Sequence, residues 1–200
     1  SDCGTFRMRG YRPLTASFAM ADDVNRQPAS AAPGRSATSP TDYRKAENRI
    51  QLSVRTKLAQ GLFVHDDDAR RDSLWFAYTQ QSYWQLFTGG ISRPFRTTDH
   101  EPELIYVYPN DWRLPGDWRW RMTGVGLVHQ SNGQSLPLSR SWNRVYVMAS
   151  AELGNRWQVH AKLWRRVSES QESDDNPGIA NHIGRAELRV PVVGRAIGEK

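Results

Sequence analysis

Asn143-Arg144-Val145-Tyr146-Val147-Met148-Ala149-Ser150-Ala151-Glu152-Leu153 is a strand with two unlike faces. Successive side chains of an extended chain point to opposite sides. Val145, Val147, Ala149, Ala151 and Leu153 therefore share a row with Asn143, while Arg144, Tyr146, Ser150 and Glu152 share the other. The same period of two runs through Arg49–Leu58, where Ile50, Leu52, Val54 and Leu58 oppose Arg49, Gln51, Ser53, Arg55 and Lys57. It returns where Ala186, Leu188, Val190 and Val192 alternate with Arg185, Glu187 and Arg189. A soluble β-sandwich with core aromatics accounts for the alternation but not for the charged rows. Arg144 with Glu152, or Arg185 with Glu187 and Arg189, is costly in a dry core and tolerable in a wet lumen.

Eight strands are expected, at about residues 14–21, 49–58, 73–86, 102–109, 118–129, 140–153, 157–167 and 182–193. Several reach about ten residues, the length a tilted strand needs to cross a bilayer. No run approaches the ~20 apolar residues of a membrane helix. The fold class read from this pattern is all-β: an antiparallel transmembrane β-barrel, whose alternating strands average out in hydropathy. Eight Trp and seven Tyr are present, and Trp84, Trp118, Trp142, Trp157 and Trp164 near strand ends suit interfacial aromatic girdles. Residues 22–48, 87–101, 130–139 and 168–181 read as connections at one end. At the other end lie 59–72, 109–117 and the tight Gly154-Asn155-Arg156 turn. The run His65-Asp66-Asp67-Asp68 reads as a solvated turn, because consecutive side chains do not converge on a metal.

The 200 residues carry 27 Lys+Arg against 21 Asp+Glu, a formal charge of +6. These cations are mostly Arg and scattered, without a tract of five or six, which argues against a nucleic-acid partner. Cys3 is the only cysteine, so no internal disulfide forms, and it reads as an inert thiol. Residues 1–200 form a single expected domain, mature or incomplete at Ser1, where no leader segment is present.

The chemistry concentrates between His129 and Arg144. His129 and Ser131 are two apart at a strand end and so can point to one side. A serine hydroxyl is a poor nucleophile until a base takes its proton, and imidazole is the usual base near neutral pH. That base needs a third group to fix its tautomer. Asn143 opens the strand after His129, so a short hairpin gathers all three at one rim. Alone, His-x-Ser is a weak signal. Its weight comes from Asn143 on the apolar row, since polar groups facing hydrocarbon are costly and tend to be functional. The register of 118–129 is mixed: Trp118, Trp120 and Met122 favour one face, Val125 and Leu127 the other.

Five motifs carry a resemblance to a known family. They are His129-x-Ser131-Asn132-Gly133, Ser139-Arg140-Ser141-Trp142-Asn143-Arg144, and Tyr78-Thr79-Gln80-x-Ser82-x-Trp84-Gln85-Leu86. To these are added Ser92-x-Pro94-Phe95-Arg96 leading to Glu101-Pro102, and Asp174-Asp175-Asn176-Pro177. Over nearly its whole length the chain resembles the outer-membrane phospholipases A. The resemblance implies a twelve-stranded barrel in the bacterial outer membrane, of which about eight strands are present here and the C-terminal ones missing. It implies calcium-dependent hydrolysis of sn-1 and sn-2 esters of phospholipids and lysophospholipids, on the lipid-facing wall of a homodimer. By position, Ser131 is the nucleophile, His129 the base, Asn143 its orienter and Gly133 the oxyanion N–H. Calcium falls to the Ser139 hydroxyl, the Gln134 carbonyl and the Ser92 carbonyl of a second subunit, hard oxygens that suit Ca²⁺. Gln80 matches the family's glutamine in the dimer interface. Gln134 stands where the family has Arg. Leu136 stands where the family has an acidic residue, which leaves open a second calcium site with Asp175.

Two other readings stand beside the active phospholipase. One is a catalytically inactive, truncated outer-membrane barrel or passive pore; the other is a soluble basic β-protein that binds nucleic acid. An intact triad with its calcium residues favours hydrolysis over the pore, and a requirement for detergent separates both from the soluble protein.

Overall fold

The computed structural model describes residues 4–64, 71–85, 95–170 and 172–191. One antiparallel sheet of nine strands dominates it. These are β1 (Met8–Gly10), β2 (Thr15–Met20), β3 (Ala46–Gln60), β4 (Ser73–Trp84), β5 (Phe95–Arg113), β6 (Trp118–Ser131), β7 (Ser141–Leu153), β8 (Trp157–Arg166) and β9 (Ala186–Arg189). From β3 to β9 each strand pairs with the next in sequence, while β1 and β2 both run along the free edge of β3. Every expected strand is present, and β1 is additional. The run His65–Asp68 lies outside the described residues.

Some boundaries differ from the alternation reading. β5 begins at Phe95 and runs to Arg113, so residues read as connections at 95–101 and 109–113 are strand. Its upper part is polar, but the backbone ladder continues there, with Phe95 opposite Trp84 and His100 opposite Gln80. Paired backbone, not apolar periodicity, defines that segment. β9 is shorter than expected and follows a brief helix, α1 (Ile179–Ile183).

The two faces of the sheet differ as the alternation demands. Leu52, Phe76, Leu104, Leu127, Val147 and Leu163 point outward and are 40–57% exposed. An apolar band of this width suits lipid, not water. The inner face is charged. Glu101 and Glu103 are almost wholly buried there and are met by three cations. Arg12, in the break between β1 and β2, lies 3.1 Å from Glu101 and 3.7 Å from Glu103. Arg144 lies 3.4 Å from Glu101, and Lys162 lies 2.7 Å from Glu103. The Tyr146 ring lies against Gly126, where any Cβ would overlap it.

Two tryptophans assigned to the girdle turn inward instead. Trp142 is buried, donates from Nε1 to Gln130 at 3.0 Å and carries the Arg144 guanidinium 4.2 Å above its ring. Trp164 pairs with Tyr146 across β7 and β8, on the inner row. Parity, not nearness to a strand end, decides the face. The mixed register of 118–129 also has a physical cause. Trp120 lies opposite Ala151 and Met122 opposite Ser150, so Arg121 is an extra residue, a β-bulge. The bulge shifts parity, turning Trp118 and Trp120 outward with Val125 and Leu127, and Met122 inward.

Removing one cation from the inner network leaves Glu103 undercompensated. Lys162→Met is expected to cost about 1–3 kcal/mol, less than the loss of a sole partner because Arg12 still lies 3.7 Å from Glu103. Arg156→Ala, in the exposed turn between β7 and β8, is expected to stay within about 0.5 kcal/mol. Urea unfolding in detergent, followed by gel mobility, measures both.

Candidate active site

β6 and β7 place His129 directly opposite Asn143, and Ser131 opposite Ser141. His129 Nδ1 lies 2.9 Å from Asn143 Oδ1. The orientation of the amide follows from its other end, where Asn143 Nδ2 donates to Glu169 Oε1 at 3.0 Å. Asn143 Oδ1 can only accept, so His129 carries its proton on Nδ1 and keeps Nε2 free as a base. Glu169 is delivered by the chain leaving β8, whose Val167 N–H donates to the Asn143 carbonyl at 2.8 Å. Ser131 is two positions along β6 on the same outward face, about 6.7 Å from His129 between Cα atoms. The structure thus joins His129 to Asn143 by a hydrogen bond and sets Ser131 beside them. Glu169 had no signal in the local sequence pattern, because it reaches Asn143 through a loop.

The register carries this polar cluster sideways across the outer wall. Gln80 lies opposite His100, and His100 lies opposite Ser131. Gln80 also faces Leu52 on β3, so it sits in the apolar band as a polar exception. Its Nε2 donates to Ser82 at 3.2 Å, and the Tyr78 hydroxyl lies 3.4 Å from its Oε1.

Residues 132–140 form a compact loop above the site, organised by Asn132. Its Oδ1 accepts from the Gln134 N–H at 3.3 Å and the Arg140 N–H at 2.9 Å, and its Nδ2 donates to the Leu138 carbonyl at 2.8 Å. Gly133 has φ +62°, a left-handed conformation that favours glycine. Gln134 spends its side chain on the Arg96 carbonyl, 2.8 Å away. The loop is pinned from outside by Asp175, a buried carboxylate. Asp175 accepts from Ser139 Oγ at 2.9 Å and from the Ser141 N–H at 2.7 Å, and lies 3.8 Å from the Arg35 guanidinium. Its own carbonyl accepts from Ser30 Oγ at 3.1 Å. Burial lowers the Arg140 guanidinium from its usual value, and the Asp175 carboxylate opposes that shift. Ser92, the remaining expected calcium ligand, lies outside the described residues.

The oxygens present suit the metal that the resemblance implies. Among the described residues no group of three or more His, Cys, Asp or Glu could hold an ion. A calcium site built from hydroxyl and carbonyl oxygens needs no such group. The Ser139 hydroxyl, beside the buried Asp175 carboxylate, and a backbone carbonyl at Gln134 are hard donors that fit Ca²⁺.

One antiparallel sheet, apolar outside and charged inside, with a candidate hydrolase site on its outer rim, defines the class: the wall of a transmembrane β-barrel. A family model for phospholipase A1 matches residues 1–195, and the chain belongs to that family. It is 40% identical over 147 residues to the phospholipase A1 of Escherichia coli strain K12, covering 74% of this chain and 47% of that protein. Its fold superposes on outer membrane phospholipase A from Escherichia coli with a TM-score of 0.73 and 34% identity, covering 92% of this chain and 71% of that one. It also matches the outer membrane phospholipase of Salmonella typhi, a dimer with bound calcium, with a TM-score of 0.76 and 33% identity. That match covers 94% of this chain and 69% of the other. The chain spans between 37% and 50% of the length of the curated relatives it matches.

Asp175→Ala removes the acceptor shared by Ser139 and the Ser141 N–H. It is expected to loosen residues 132–140 and to cost about 1–3 kcal/mol. Limited proteolysis should then cut in that loop at least several times faster, while cleavage at the Gly154–Arg156 turn stays unchanged.

Proposed function

We propose that this protein is a calcium-assisted phospholipase of the bacterial outer membrane, hydrolysing sn-1 and sn-2 acyl esters of phospholipids and lysophospholipids. The observation that carries this reading is the His129–Asn143 hydrogen bond on the lipid-facing row, with Ser131 beside it. Polar groups on such a row need a purpose, and a substrate embedded in lipid meets this face first.

Ser131 Oγ attacks the ester carbonyl carbon while its proton passes to His129 Nε2. The carbonyl π pair moves onto oxygen, where the Gly133 N–H donates to it. Collapse of the adduct breaks the bond to the leaving alcohol, which takes the proton from His129. Water, deprotonated by His129, then attacks the acyl carbon; the bond to Ser131 Oγ breaks, Ser131 takes the proton back from His129, and the fatty acid leaves. Asn143 holds the imidazole in the Nδ1–H tautomer without placing a full charge on the wall, and Glu169 fixes Asn143 in turn. Ser139, Gln134 and a second subunit's Ser92 would hold calcium, which when bound supplies positive charge beside the developing oxyanion. A homodimer through the outer wall is favoured by Gln80, whose amide in the apolar band is best satisfied by protein.

The inactive-barrel alternative is disfavoured by the complete set Ser131, His129, Asn143 and Gly133. Ser131→Ala and His129→Ala are each expected to lower turnover by several orders of magnitude, and Asn143→Ala to lower it partially, because a neutral orienter contributes geometry more than charge. Hydrolysis of a phospholipid or thioester analogue by the full-length protein in detergent is the assay. Unchanged turnover in Ser131→Ala would sink the hydrolase assignment. Calcium and dimerisation are expected to be linked, because an ion bound between subunits favours the dimer. EDTA should therefore lower the crosslinked dimer fraction, and Ser139→Ala should shift the calcium dependence to higher concentration. Equal dimer fractions with and without EDTA would contradict the shared site.

A further inference from the structure

His100 sits beside Ser131 although nothing in the linear sequence joins them. The two are direct partners in the ladder between β5 and β6. Opposed residues of an antiparallel pair point to the same face, with Cβ atoms about 5 Å apart. His100 therefore shares the outer wall with the nucleophile, on the side away from Ser141. Its ring reaches up to the loop. A Cβ built on Gly133 would lie 3.2 Å from both Cδ2 and Nε2 of His100, so that edge of the imidazole covers the backbone of the oxyanion residue. At Gly133, glycine answers both a left-handed φ and this ring.

The opposite edge of the ring is tied down. His100 Nδ1 lies 2.5 Å from the Tyr78 hydroxyl, with the two rings 6.1 Å apart between centroids. A phenol is the stronger acid of the pair and an imidazole nitrogen the stronger acceptor, so Tyr78 donates and Nδ1 accepts. The Gln80 oxygen, at 3.4 Å from the same hydroxyl, competes weakly for that proton. With Nδ1 accepting, the neutral ring carries its proton on Nε2, the atom turned toward Gly133. His129 and His100 thus hold opposite tautomers on the two sides of the Ser131 region. Asn143 leaves the first with a free lone pair at Nε2, and Tyr78 leaves the second with an N–H there.

We propose that His100 is a further catalytic residue, whose Nε2–H joins the Gly133 N–H in donating to the oxygen that turns negative when Ser131 attacks the ester. This rests on the phospholipase reading above. The bond formed is Ser131 Oγ to the carbonyl carbon, the π pair moves to oxygen, and the Ser131 proton goes to His129. His100 keeps its own proton throughout and contributes only its dipole. A donor held in place beforehand by Tyr78, on a wall from which lipid excludes water, stabilises the charged state more than the neutral ester. Tyr78 is then a positioning residue that acts through His100.

The test compares kcat and KM on a lysophospholipid for the full-length protein in detergent with calcium, using His100→Phe, His100→Gln, Tyr78→Phe and the double variant His100→Phe/Tyr78→Phe. His100→Phe keeps the ring's bulk and removes the donor. It is expected to lower kcat on the order of 10²-fold, the usual worth of one oxyanion donor, with KM within about twofold. His100→Gln, which restores an N–H, should recover part of the loss. Tyr78→Phe should lower kcat less than His100→Phe, and the double variant should be no worse than His100→Phe alone, because Tyr78 has nothing left to act on. A kcat for His100→Phe within about twofold of wild type, or a loss confined to KM, overturns the proposal. Should His100→Phe fail to fold, Tyr78→Phe decides: a lower kcat at constant KM supports the donor, and an unchanged kcat overturns it. The underlying reading fails separately, by a Ser131→Ala protein that still turns over, and that result overturns both.

Discussion

The pairing of β6 with β7 skips Arg121, and the direction in which His129 and Ser131 point follows from that skip. Below the bulge, Trp118 and Trp120 face lipid; above it, Val125, Leu127, His129 and Ser131 do. The extra residue is held by charge, with Arg121 2.9 Å from Asp111 and 3.1 Å from Glu152. Without it, one end of the strand would have to turn its set of side chains to the wrong face, since a slip of one residue inverts a whole row. Either the interfacial tryptophans would enter the lumen or the histidine and serine would.

The two faces then divide the work. Backbone groups in lipid must be satisfied internally, which a fully paired sheet achieves and an isolated strand does not. The buried charge gathers on the inner face, where Arg12, Arg144 and Lys162 surround Glu101 and Glu103 and tie the first segment of the chain to β5, β7 and β8. The outer face carries neutral polar groups in its interior and charge towards the rim, where Arg165 lies opposite Val145 and Glu169 supports Asn143. A neutral partner such as Asn143 suits a histidine set against hydrocarbon, because a full charge there is costly unless paired. The loop above the site is fixed by buried Asp175 rather than by apolar packing, so a polar rim positions Ser139 and Gly133 while the apolar wall positions Ser131 and His129.

Alternation made the strands legible, and the odd place of Asn143 among valines and alanines marked the site. What alternation cannot carry is parity across a bulge and contact across a ladder. Trp142 and Trp164 sit near strand ends, yet the row they occupy faces the lumen. Phe95 to His100 is polar and reads as a connection, yet its backbone pairs with β4. His100 and Glu169 enter the site from distant segments whose placement depends on register or loop closure, and no local pattern records either; Asp175 was visible in a motif, but not as the acceptor that holds Ser139 and the Ser141 N–H. Tyr78 and Gln80 were visible as a motif, but their neighbour His100 was not.

In the proposed reaction Ser131, facing lipid and activated by His129, is the nucleophile. The most direct measurement is to treat the full-length protein in bilayers with a long-chain alkyl fluorophosphonate and map the modified peptide by mass spectrometry. A single phosphonyl adduct on Ser131 is expected, absent in His129→Ala. An adduct on another serine, or unchanged labelling of Ser131 after removal of His129, would contradict it.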